Sequence, residues 1–155
     1  MSTVGNFNWD FQGCPHIGGS IAFDDERDLI HSTVGTGHTK HSGTYYLNSI
    51  DNGQSWSEPL RLGEDTAVHS DLSVSSGGEV LATWDNITAT GFQIAYSQSI
   101  NQGKSWTKTV IASEEGIRAT HPRVVAMTNK FLLLWTEGKA KDASTIRMMT
   151  VPFGQ

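Results

Sequence analysis

An eight-residue pattern occurs twice in the chain and constrains its fold more than any other feature. Ser49-Ile50-Asp51-Asn52-Gly53-Gln54-Ser55-Trp56 recurs as Ser99-Ile100-Asn101-Gln102-Gly103-Lys104-Ser105-Trp106, a spacing of 50 residues between Trp56 and Trp106. Repeats of roughly 40–50 residues suit the blades of a propeller. Each copy reads as a turn. Asp51 can fold its carboxylate onto backbone N–H groups, Gly53 can take a positive φ, and Ser49 can add a local hydrogen bond. Trp56 can then pack its ring beneath the turn. In the second copy Asn101 replaces the carboxylate with a neutral amide.

Aligning the chain on these turns exposes a second repeat. His16, His69 and His121, spaced by 53 and 52 residues, each open a short strand-like run. A hairpin loop and a second apolar strand follow each run, at residues 28–33, 79–84 and 130–135. Third strands are expected at 44–49, 92–99 and 144–150, and fourth strands at 57–62 and 107–112. Four antiparallel strands make one blade. The third unit stops inside its turn, at Thr150-Val151-Pro152-Phe153-Gly154-Gln155, whereas residues 6–11 read as an orphan fourth strand in which Trp9 takes the place of Trp56 and Trp106. The expected layout is a strand at 6–11 and blades over 15–62, 68–112 and 120–155.

The Ser-x-Asp-x-Gly-x-x-Trp string resembles the Asp-box, or BNR repeat, of sialidase-like β-propellers. The resemblance implies an all-β chain of three four-stranded antiparallel blades. It also implies that Ser49, Asp51, Gly53, Trp56, Ser99, Asn101, Gly103 and Trp106 are structural, on the face opposite the ligand site. Closed propellers typically have four to eight blades, and a three-blade wedge would expose two apolar faces. A homodimer of six blades, the number the resemblance implies, is therefore expected, with residues 6–11 completing the unfinished blade. The alternative is a piece of a longer chain.

Composition narrows the partners. Of 155 residues 37% are apolar, with 16 glycines and 4 prolines, which suits a turn-rich globular β protein. The net charge of −5 argues against a nucleic-acid surface. No stretch reads as a signal peptide or membrane span, so a soluble, cytoplasmic protein without membrane contact is expected. Cys14 is the single cysteine and excludes an intrachain disulfide.

Ligand chemistry is expected at the mouth of the channel, where the first strand of each blade begins. His16, His69, Asp71, His121 and Arg123 come from those openings, and Trp84, Asp85, Trp135 and Glu137 from the loops after the second strands. Aromatic faces, carboxylates and Arg are the groups that hold sugars. The repeated histidines also suit loop caps, the tryptophans blade packing, and Arg123 with Asp71 an ion pair. No linear spacing marks a metal site, and no cofactor is expected. The Arg-Ile-Pro signature of sialidases is absent, the nearest string being His121-Pro122-Arg123. No catalytic residue is carried over. The leading expectation is a non-catalytic propeller that binds a carbohydrate or other small polar ligand; the alternatives are a sialidase-type glycoside hydrolase and a protein-interaction scaffold.

Overall fold

Alternating apolar residues and turn residues every few positions give eleven strands in the computed structural model, which describes residues 2–8, 17–139 and 143–154. No helix occurs among them, and none is long and apolar enough to cross a membrane. Blade 1 contains β1 (Gly19–Asp24), β2 (Leu29–Thr36), β3 (Gly43–Ser49) and β4 (Leu60–Arg61); blade 2 contains β5 (Ala67–Val74), β6 (Val80–Thr88), β7 (Gly91–Ser99) and β8 (Val110–Ile111). Blade 3 contains β9 (Arg118–Ala126), β10 (Lys130–Gly138) and β11 (Thr145–Pro152). Each sheet is an antiparallel meander in chain order: two four-stranded sheets and one three-stranded sheet. The fold is all-β, built from propeller blades.

The repeated turns form as their chemistry dictates. Gly53 N–H donates to Ser49 Oγ at 2.9 Å, Ser55 N–H donates to Asp51 Oδ1 at 2.8 Å, and Ser55 Oγ donates to Asp51 Oδ2 at 2.6 Å. The two bonds from Ser55, with one from the Ser49 hydroxyl and one from the Gln54 backbone, hold the Asp51 carboxyl down to about 2. Asn101 reproduces the bond to Ser105 N–H at 2.9 Å but donates to Ser105 Oγ, so that hydroxyl reverses its role. Gly53 and Gly103 have φ of 78° and 80°, and Gly154 repeats the value at 76°. The third unit thus begins the same turn.

The fourth strands are shorter than the sequence suggests. Only two residues of each pair in a ladder; ahead of them Ser57 N–H donates to Asn48 O and Thr107 N–H to Gln98 O, both at 2.8 Å, while Asn48 N–H donates to Ser57 Oγ and Gln98 N–H to Thr107 Oγ1, both at 3.0 Å. Of the expected strand at 6–11, residues 6–8 carry no strand and Trp9 to Phe11 lie outside the described residues, as do Cys14 and His16. Phe7 packs on Tyr45 with ring centroids 5.1 Å apart.

Blades pack by one recurring pair of faces. Blade 1 presents Ala22 toward Leu72, Ala82 and Trp84 of blade 2, while Tyr46 meets Trp106 edge-on at 4.9 Å. Blade 2 presents Ile94 and Tyr96 toward Leu133, Trp135 and Met149 of blade 3. Two faces are left over. Ile21 and Phe23 are exposed on the outer side of blade 1, and Val125, Ile146 and Met148 on the outer side of blade 3.

Candidate functional site

The repeated turns lie where third strands end, so the first strands begin at the opposite end of the blades. There β5 and β9 each carry a bulge. Register against β6 shifts between Ala67 and Ser70, and register against β10 shifts between Arg123 and Thr120. The inserted residues are those around His69 and His121, the two described members of the histidine repeat. A bulge bends the strand and re-aims its side chain, and His121 also takes a φ of 56°, unusual for a residue with a Cβ.

Asp85 holds both bulges. Its carboxylate is fully buried, and a buried carboxylate needs donors around it. His69 N–H donates to it at 3.1 Å, His69 Nδ1 at 2.9 Å, Thr120 Oγ1 at 2.5 Å and His121 N–H at 3.0 Å. One side chain from β6 therefore fixes the neighbouring blade's strand. The His69 and His121 rings stack with centroids 4.0 Å apart and planes 23° apart. Burial lowers the His121 pKa, helped by the adjacent His69 and by Arg123 and Arg118, against the pull of Asp85. Gly18, Gly19, Ser70, Pro122 and Arg123 complete a hollow of about 80 Å³ around the two rings.

Asp71 is likewise engaged by the protein. Ser20 Oγ of blade 1 donates to it at 2.5 Å and Val124 N–H of blade 3 at 3.0 Å. Arg123 stands 4.0 Å away with 66% of its side chain exposed. Trp84 is 1% exposed within the packing of blades 1 and 2, and Trp135 is 5% exposed between blades 2 and 3. Trp135 Nε1 donates to Glu137 Oε2 at 2.9 Å, and Arg147 Nε donates to Oε1 at 2.5 Å. Burial acts to raise the Glu137 pKa, but these two bonds outweigh it and the net shift is downward.

A groove of about 740 Å³ runs beside this cluster, sharing Thr120 and Glu137 with it and adding Arg118, Thr136 and Lys139. Arg118 lies 5.3 Å over the Phe92 ring. The structure thus gathers His69, Asp71, Asp85, His121 and Arg123 at one end, turns Trp84 and Trp135 into blade packing, and leaves Arg123 and His121 exposed with His69 half-buried. His16 lies outside the described residues. Thr120 and Arg147 escaped the sequence reading, and no repeat marks either of them.

No protein-family model and no curated protein matches the chain. Solved structures do. A mutant of NanB sialidase from Streptococcus pneumoniae superposes with a TM-score of 0.58 at 14% identity, over 83% of this chain and 20% of that one. The Hadza microbial sialidase Hz136 gives 0.59 at 12% identity, over 88% of this chain and 32% of that one. A GH43_12 protein retrieved from a capybara gut metagenome gives 0.56 at 12% identity, over 88% and 30% respectively. The chain therefore spans a fifth to a third of the length of these structures. At such identities the likeness speaks for the fold alone: the chain is an array of propeller blades similar to those of these enzymes.

Proposed function

We propose that this blade array is an Asp-box propeller unit that binds a carbohydrate, without cleaving it, at the end where the first strands begin. The observation that carries the reading is Arg123. Its guanidinium is exposed at the hollow that Gly18, Gly19, His69 and His121 line with it, and the larger groove runs along Arg118 and Thr120 of the same strand. A guanidinium fork suits the carboxylate of an acidic sugar, and the groove offers Arg118, Lys139 and threonine hydroxyls for further oxygens. The likeness to two sialidases supports a sugar as the ligand. Binding is favoured over hydrolysis because glycoside hydrolysis needs carboxyl groups free to attack or protonate, and Asp71, Asp85 and Glu137 already hold protein donors.

A glycan array on the whole chain, run beside fluorogenic glycosides, tests this. Binding of acidic glycans that falls at least tenfold in Arg123→Ala, with no turnover, is expected. Turnover of any glycoside, or glycan binding indifferent to Arg123, overturns it.

The two leftover faces favour a second copy as the partner. Ile21 occupies in blade 1 the position that Leu72 holds in blade 2, and Leu72 packs on the preceding blade. Met148 likewise corresponds to Tyr96, which packs on the following blade. Blade 3 of one copy can therefore meet blade 1 of another as the internal blades meet. Light scattering should give twice the 16.9 kDa of the chain. A single well-folded species at 16.9 kDa refutes the pairing.

A further inference from the structure

We propose that His69 and His121 supply the nitrogen ligands of a binding site for a late first-row divalent metal ion, Zn²⁺, Cu²⁺ or Ni²⁺, with Asp85 as the carboxylate that orients them. Linear spacing hides this site, since the two histidines are far apart in the chain. The fold brings them together: they occupy equivalent bulges in adjacent blades, and ligand atoms of His69, Asp85 and His121 lie within 4.8 Å of one another.

The hydrogen bonds fix which ring nitrogens are available. Asp85 only accepts, so His69 Nδ1 carries the proton it donates at 2.9 Å. Thr120 has one hydroxyl proton, which goes to Asp85 at 2.5 Å. The 3.0 Å contact between Thr120 Oγ1 and His121 Nδ1 must then be donated by His121. When neutral, both rings therefore carry their proton on Nδ1 and a lone pair on Nε2. Neither Nε2 makes a hydrogen bond among the described residues. The two imidazoles stack on rings that border an open hollow, so joint coordination of one ion needs them to rotate out of the stack and bring both Nε2 lone pairs onto it.

This is the arrangement that metal-binding histidines use. The nitrogen away from the metal donates to a carboxylate, which sets the tautomer, fixes the ring and raises ligand basicity. Here one buried carboxylate serves both rings, directly for His69 and through Thr120 for His121. Packing alone accounts for the stacking. It does not account for one buried carboxylate fixing the Nδ1 side of both rings. Imidazole donors select late transition ions over Mg²⁺ and Ca²⁺, which prefer oxygen. The Arg123 charge works against a cation, but Asp71 stands 4.0 Å from it and offsets it in part. Remaining coordination positions open into the hollow, where water or a ligand oxygen can enter.

Titration calorimetry of the whole chain with ZnCl₂ and NiCl₂ is the test. His38 and His41 stack at 5.6 Å on the loop between β2 and β3 and form a competing surface pair, so the reference protein is the His38→Ala/His41→Ala variant. One ion per chain is expected in that reference, with no heat from CaCl₂ or MgCl₂. Adding His121→Ala or His69→Ala should weaken binding by at least tenfold while circular dichroism stays unchanged. Should either variant fail to fold, electron paramagnetic resonance of Cu²⁺ bound to the reference must show coupling to two imidazole nitrogens. No binding to the reference, binding that survives His121→Ala and His69→Ala, or a copper spectrum without two nitrogens overturns the proposal.

Discussion

Acid should destabilise this protein through one histidine. His31 in β2 is fully buried between blades 1 and 2, its Nδ1 2.7 Å from Tyr46 Oη, and its Nε2 has no partner. Protonation would place a second N–H, and a charge, where no acceptor waits. Burial accordingly lowers its pKa to about 4; Asp24 pulls the other way and Arg27 adds to the lowering. In the unfolded chain the value is about 6.5. Above pH 6.5 both states are neutral and His31 contributes no pH dependence. Below it the unfolded chain takes up a proton that the folded chain refuses, so stability falls by up to about 1.4 kcal/mol per pH unit. The fall levels off near pH 4, where the folded state also protonates. The whole loss is about 3 kcal/mol, a large share of the roughly 5–15 kcal/mol a domain has. Asp51, held down to about 2, titrates below this window and loses its contribution only as pH drops past 3.8. Urea midpoints between pH 4 and 7.5 for wild type and His31→Phe isolate the effect, because all other groups cancel in the difference. The wild-type curve should be the steeper by about one proton. Parallel curves would show that His31 does not change its protonation on unfolding, and the reasoning fails.

Two further outcomes follow from packing and can be read by urea denaturation and hydrogen exchange. A Cβ at Gly103 would overlap the Tyr46 hydroxyl, whereas at Gly53 the nearest atom is 3.8 Å away on Trp56. Gly103→Ala should therefore cost about 3 kcal/mol, from overpacking added to left-handed strain, and Gly53→Ala only about 1 kcal/mol; equal costs would refute the contact. Gln98, buried in β7, donates to Pro152 O at 3.0 Å and accepts from Gly154 N–H. Gln98→Ala should cost about 1–3 kcal/mol by stranding those groups, and should speed amide exchange at 151–154 more than in blade 1.

The strands of all three blades were legible because apolar alternation and turn residues agree at each position, and the repeated turn fixed their order. Besides the overlong fourth strands and the strand expected at residues 6–8, what the sequence misplaced lies at the ends of β6 and β10. Trp84 and Trp135 looked like strand ends because polar residues follow them. Both strands continue, to Thr88 and Gly138, and so Asp85 and Glu137 fall inside sheets rather than in loops. Asp85 stays there because donors from the next blade surround it, a long-range fact that no local pattern encodes. Thr120 was invisible for the same reason: its hydroxyl matters only through Asp85 and His121. The bulges at His69 and His121 were foreshadowed only by the histidine repeat, whose regular spacing recorded a shared backbone irregularity.

Asp71 ties all three blades together. It reaches from the middle blade to Ser20 on one side and Val124 N–H on the other. The distance between a carboxylate's two oxygens thus acts as a spacer between the outer two blades at their narrow end. A longer acid, Glu, would push that spacer outward and open the fan. Asn keeps the length and still fits, provided its amide donates to the Ser20 hydroxyl and its oxygen accepts from Val124. The spacing of the three first strands thus passes through one side chain, alongside the packed faces and the Asp85 bonds that join the blades.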